Sequence, residues 1–179
     1  SYDDFHLNEV FEHQIVYSII KDKNDDIWFG TYGKGVYKYH PADQNGPEKM
    51  ESFSTKDGLK NDHVVSLLFD NPGNLWIGTI SGINKMDINE YNTFGRKTFR
   101  HFGNEEGFKS VECKPKAIYK SRNGNIWVGT IKGLIMFNPS DIKTNQIEPK
   151  TYIRNVRLFF KKHLELNCKN NDKTYPFKF

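Results

Sequence analysis

The chain has 179 residues, of which 36% are hydrophobic and 27% charged, with a formal net charge of +4 from 26 Lys and Arg against 22 Asp and Glu. This is enough for one domain with a real core, or one domain and part of a second, and it lies clear of the composition at which a core fails to form. The two signs are interspersed, so a nucleic-acid surface has no support beyond a mildly basic balance.

No run of about 18 apolar residues occurs, and the first residues lack the basic start and apolar run of a secretory leader, so neither a membrane span nor an export signal is expected in this chain. Aromatic residues at 15%, with 14 Gly and recurring Asn-Gly and Pro-Gly turns, favour short strands that bury large rings. Cys113 and Cys168 have no Cys or His neighbour at metal-ligand spacing; two free thiols are expected, one disulfide is possible, and the compartment is not legible from them.

In chain order, "FHLNEVF" (5–11) occupies the place of an outer strand of an earlier unit. "VYSIIK" (16–21), "IWFGT" (27–31), "VYKY" (36–39) and "MESFS" (50–54) then predict four short strands joined by turns. The same order returns as "VVSLLF" (64–69), "LWIGT" (75–79), "INKM" (83–86) and "KTFRHF" (97–102). A third copy runs "KAIYK" (116–120), "IWVGT" (126–130) and "LIMF" (134–137), after which no fourth strand is evident. Its lead, "EGFKSVEC" (106–113), differs from the others, and Cys113 and Pro115 predict an irregular start to its first strand.

Trp28, Trp76 and Trp127 recur 48 and 51 residues apart, a period that makes each copy one supersecondary unit. Four-stranded meanders at this period form a β-propeller or, less often, a stacked solenoid. The propeller accounts better for continuous apolar runs such as "VVSLLF", because inner strands are covered on both faces by neighbouring blades. Each Trp then fills the space between blades, and the Gly two residues later lets neighbours approach closely. The Thr that follows bonds where the sheet meets a turn, and Gly35, Gly82 and Gly133 supply a positive φ in the next hairpin.

"DGLKNDHVVSLLFDNPGNLWIGTISGINKMD" (57–87) resembles the two-component regulator propeller repeat. The resemblance implies a periplasmic sensor region of a hybrid two-component histidine kinase of Bacteroidota, in which a β-sandwich called the Y_Y_Y domain follows the last blade. "IEPKTYIRNVRLFFKKHLEL" with "NDKTYPFKF" (147–179) looks like the first strands of such a sandwich. The expected fold is therefore all-β. It assigns 1–14 to the outer strand of a preceding blade, 15–62 and 63–112 to blades, 113–147 to a blade without its outer strand, and 148–179 to the start of the sandwich. Three blades cannot close a ring, so the chain is read as a fragment and self-association is expected, for example two chains completing a six-blade ring.

Site-type signals are few. The tryptophans lie within apolar strands, which favours core over sugar stacking. Better ligand candidates are Tyr32 and Lys34 at a Gly-rich turn, Asn61, Asp62 and His63 just before an inner strand, and Phe108 in a loop. Each of these also has an ordinary structural use, in a turn or an amphipathic surface.

Asp22, Asp57 and Asp70 recur with the repeat without a calcium-loop spacing, so they are read as turn and strand-end acceptors. The pairs Asp25-Asp26 and Glu105-Glu106 fall in turns and do not face each other across a bond as glycosidase carboxylates must. With no phosphate loop, metalloprotease helix or nucleophile elbow, no catalytic residue, metal or cofactor is expected. The resemblance implies an oligosaccharide ligand and a kinase outside this chain, with the membrane reached only through other regions of the parent. The alternatives are a structural or dimerisation scaffold and, less favoured, a propeller-based lyase or hydrolase.

Overall fold

Three antiparallel sheets follow one another along the chain, and their strands fall where the tryptophan repeat places them. The computed structural model describes residues 11–44, 46–104, 108, 112–142, 155–158 and 161–165, divided between one unit, Ser1–Ile142, and another, Lys143–Phe179. The first sheet orders β1 (Val16–Lys21), β2 (Ile27–Thr31), β3 (Val36–His40) and β4 (Lys49–Phe53) as a simple meander. The second repeats it with β5 (Val64–Phe69), β6 (Leu75–Thr79), β7 (Gly82–Met86) and β8 (Phe99–Phe102). The third contains, among the described residues, β9 (Cys113–Lys120), β10 (Ile126–Thr130) and β11 (Gly133–Phe137).

Register explains why the pattern works. Trp28 pairs with Ile20 and Lys38, Trp76 with Leu68 and Lys85, and Trp127 with Tyr119 and Met136, so each indole occupies the same point of its sheet. Side chains alternate across a strand, so Trp and its flanking residues face opposite neighbours. Leu75 and Ile77 meet Trp28, Val36 and Phe53 in a first core, with Val64 and Leu67 from β5. Trp76 turns the other way and meets Ile126, Val128 and Cys113 in a second core, beside Val65, Ile83 and Phe102. All five residues of β6 are buried, because that strand lies between two sheets. Trp28 and Trp76 are 0% exposed, as blade-filling residues should be. Trp127 is half-buried; among the described residues of its unit no further sheet follows the third.

The same polar bonds recur with the packing. Asp22 Oδ2 accepts from Trp28 Nε1 at 3.0 Å, and Asp70 Oδ2 accepts from Trp76 Nε1 at 2.8 Å. Asp22 Oδ1 also accepts from the backbone N–H of Asn24 and Asp26, and Asp70 Oδ1 from that of Asn74. One carboxylate thus closes the turn and satisfies a buried indole, which is why an acid stands six residues before these tryptophans. Ser121 holds that place in the third copy and bonds its own turn through Asn125 O instead. Thr31, Thr79 and Thr130 each donate to the carbonyl of the hairpin glycine, at 2.8, 2.8 and 3.0 Å. Gly35 needs its freedom most: φ is 76°, and a Cβ there would stand 2.1 Å from Phe53 O.

A short helix and 3₁₀ turns, one of them at Pro139–Asp141, add to the expected strands. The stretch after β7 forms α1 (Ile88–Phe94), with Asp87 as N-cap accepting from Glu90 N and Gly95 as a left-handed C-cap. Its buried Ile88 and Tyr91 complete the first core, and burial together with the Glu51 carboxylate raises the pKa of the Tyr91 phenol. A 3₁₀ turn over Thr55–Asp57 is held by reciprocal Ser54 and Asp57 bonds, which places Asp57 as the turn acceptor expected of it. Cys113 is a free, buried thiol that desolvation pushes up to about 11, and Cys168 lies outside the described residues.

The outer strand expected at 5–11 also lies outside the described residues, apart from Phe11, whose ring packs on Phe29 and Tyr37. In the second unit, β12 (Asn155–Leu158) pairs antiparallel with β13 (Lys161–Glu165). The rest of the expected sandwich lies outside the described residues.

Candidate functional site

The hairpin between β2 and β3 and the segment leading into β5 meet at one end of the sheets. Tyr32 and His63 form an isolated antiparallel bridge, and their rings lie 4.1 Å apart at 44°. Tyr17 of β1 meets the Tyr32 ring edge-on at 5.8 Å. The Tyr32 N–H donates to Ile15 O, while Gly33 and Gly35 both donate to Asp62 O at 3.0 and 2.9 Å. These bonds fix the backbone of the turn, yet Tyr32 keeps 47% of its surface exposed. The result is a rigid aromatic ledge open to solvent on one side.

The neighbouring polar side chains are occupied internally. Asn61 Oδ1 accepts from His63 N at 2.7 Å, and its Nδ2 donates to Ser81 Oγ at 2.9 Å. Both Asp62 carboxylate oxygens accept from Thr55, at 2.7 Å from its N–H and 2.9 Å from its hydroxyl. The structure therefore brings Tyr32, Asn61, Asp62 and His63 together, but Asn61 and Asp62 act there as braces. Lys34 is exposed on the turn beside them.

Phe108 does not join this group. Its ring lies 5.8 Å from Phe102 and 5.3 Å from Phe137, against the second core. Phe108 lies in a loop as expected, but its ring packs against the second core instead of standing open to solvent. Tyr17 is a ledge residue that sequence reasoning passed over, because it sits in an apolar inner strand; the register shift between Val16 and Ser18 turns it toward Tyr32.

Among the described residues, no three His, Cys, Asp or Glu side chains are grouped to hold a metal ion, and no helix is long and apolar enough to cross a membrane. The turn acids serve as ion-pair partners: Asp25 bonds Lys21, and buried Asp26 contacts Lys38 Nζ at 2.9 Å and His40 Nδ1 at 2.5 Å.

Residues 11–33, 58–81 and 113–132, each spanning the first two strands of a sheet, match the two-component regulator propeller family model. In these three segments the chain is similar to two-component regulator propeller repeats. Histidine kinase P4 of Formosa agariphila is 32% identical over 82 residues, 46% of this chain and 6% of that protein. The solved extracellular domain of a hybrid two-component system from B. thetaiotaomicron superposes with a TM-score of 0.66 at 24% identity, covering 95% of this chain and 21% of that one. The extracellular domain of a one-component system from the same organism gives 0.55 at 19% identity, covering 76% and 18%. The propeller repeats thus fold here as they do in those domains, and the chain spans about a fifth of the first domain's length.

Proposed function

We propose that this chain is part of the extracytoplasmic sensor region of a hybrid two-component receptor, placed in the periplasm, and that it contributes to recognition of an oligosaccharide. Kinase chemistry belongs to parts of the parent outside this chain, and the chain itself is non-catalytic. The observation that carries the ligand reading is the Tyr32 ledge: a ring held by Tyr17 and His63, with its backbone bonded on both sides and nearly half its surface open. A fixed aromatic surface loses little conformational entropy on binding, which suits a pyranose face. Signalling would follow from differential binding, because a ligand shifts a receptor only as far as it prefers one arrangement.

Calorimetry of the complete ectodomain with candidate oligosaccharides tests this reading. Tyr32→Ala is expected to weaken binding about tenfold or more, roughly 1.4 kcal/mol. His63→Ala should weaken it less, by loosening the ledge. Asn61→Ala should lower the unfolding midpoint more than the affinity, because its amide is spent on His63 N and Ser81. Unchanged affinity in the Tyr32 and His63 variants would favour the scaffold reading.

That second reading has its own support. Tyr119, Leu134 and Met136 of the third sheet are 64%, 66% and 50% exposed, and Tyr119 and Met136 pair with half-buried Trp127. A contiguous apolar face of this kind fits a structural or dimerisation surface, with ligand contacts made elsewhere in the receptor. Light scattering that finds a monodisperse monomer would count against self-association through it.

A further inference from the structure

The first strand of the third sheet departs from its two counterparts. In β1, Val16 pairs with Thr31 and Ile19 with Phe29; in β5, Val64 pairs with Thr79 and Leu67 with Ile77. Three steps on the inner strand thus face two on its neighbour. In β9, Cys113 pairs with Thr130 and Ile118 with Val128, so five steps face the same two. The two extra residues bulge the strand outward at Lys114, Pro115 and Lys116, all of them exposed.

Lys116 stands in the left-handed region with φ 55°, a conformation that disfavours a residue with a side chain. The bulge has a second effect on the core. Ser18 Oγ accepts from Leu67 N across the first two sheets, whereas fully buried Ser66, its counterpart in β5, finds no partner among the described residues. The displaced stretch of β9 therefore costs both backbone strain and a bond.

The bulge borders a cavity. The first strands of the three sheets converge, and between them lies a groove of about 390 Å³ lined by Tyr17 and Ile19 of β1, Leu67 of β5, and Lys116 and Ile118 of β9, among others. Among the described residues no carboxylate lines it. Lys114 is already paired with Glu112 at 3.0 Å, while Lys116 has no carboxylate within ion-pair distance among the described residues. An unpaired cation beside apolar walls and a tyrosine ring favours a ligand that presents an anionic group next to an apolar face.

We propose that this groove is a subsite for an acidic saccharide, with Lys116 binding a carboxylate or sulfate and Tyr17 and Ile118 contacting the ring. It rests on the saccharide reading above and adds to it the charge class of the ligand and a subsite that adjoins the Tyr32 ledge through Tyr17.

The test is calorimetry on the full ectodomain with oligogalacturonate, a sulfated chondroitin oligosaccharide, a neutral galactan oligosaccharide, and inorganic phosphate or sulfate alone. The acidic sugars are expected to bind more tightly than the neutral one. Lys116→Gln should weaken their binding at least tenfold and flatten its salt dependence, and Lys116→Arg should retain most of the affinity. Lys114→Gln should change affinity less than twofold. Far-ultraviolet circular dichroism and thermal midpoints close to wild type would show that the exposed substitutions leave the fold intact.

Acidic-sugar affinity within twofold of wild type in Lys116→Gln overturns the proposal. So does inorganic anion binding as tight as that of the acidic sugars, which would make the ligand a free anion. Binding of the neutral sugar alone, sensitive to Tyr32→Ala and indifferent to Lys116→Gln, overturns the acidic subsite and leaves the saccharide reading standing. No binding by any sugar overturns both.

Discussion

Trp76→Ala is expected to destabilise the 179-residue chain by about 3–5 kcal/mol, while Trp127→Ala costs about 1 kcal/mol. The two residues occupy equivalent points in successive sheets, so intrinsic strand preference cancels from the comparison. What differs is enclosure. Trp76 is 0% exposed, lies 5.5 Å from the Phe102 ring and 5.0 Å from Phe137, and gives its indole N–H to buried Asp70. Its removal opens a cavity between two sheets and leaves that carboxylate one donor short. Trp127 is half-buried and has Ser121 where the others have an acid. Urea unfolding of the two variants measures the contrast; equal losses would mean that the sheets do not stack in the order described.

The second large effect concerns a charge. Asp26→Asn is expected to cost about 3–5 kcal/mol, because it leaves Lys38 as a cation without its buried partner. The Lys38 and Asp26 side chains are 13% and 5% exposed, and Nζ also lies 5.5 Å from the Trp28 ring and 5.2 Å from that of Tyr91. Water cannot readily replace the carboxylate in such a place.

The sequence supplies the compensating change. Met136 occupies the register position in the third sheet that Lys38 occupies in the first, paired in each case with the tryptophan. The double substitution Asp26→Asn with Lys38→Met should therefore recover most of the loss, since an apolar side chain of similar length replaces a buried ion pair at little cost. Unfolding curves of the two single variants and the double complete the cycle. An additive double variant would show that Asp26 acts mainly through His40.

These effects indicate which parts of the molecule were legible in advance. Strand positions were, because the Trp-x-Gly-Thr segment fixes which residues face which neighbour. The functions of Asp22 and Asp70 were visible in kind: their recurrence marked them as local acceptors, although the indole bond six residues on needed coordinates. Helix α1 is hard to read in advance because it is only seven residues long and its apolar signal is Ile88, Tyr91 and an exposed Phe94; the Asp87 cap and Gly95 stop are the available cues.

The candidate site was legible as a neighbourhood and less so as a set of roles. Tyr32 stood out as an aromatic at a Gly-rich turn and His63 as a polar residue just before an inner strand; that the two rings meet is visible only in the fold. Sequence could not tell that Asn61 and Asp62 would spend their polar atoms on Ser81, His63 N and Thr55, since those partners come from other turns. Phe108 read as a loop aromatic because the second core that receives it is assembled from two sheets. Lys116 left a trace, the two additional residues in "CKPKAIYK" relative to "VYSIIK", but the groove beside it exists only once three inner strands converge.

The face-to-face succession of the three tryptophan-bearing sheets underlies all of these expectations. It is tested most directly by fluorine NMR of the chain labelled with 5-fluorotryptophan, each resonance assigned by a Trp→Phe variant, during titration with a soluble paramagnetic agent. The account predicts that the Trp127 signal broadens while those of Trp28 and Trp76 persist. Equal broadening of all three, or protection of Trp127 with exposure of Trp76, would contradict it.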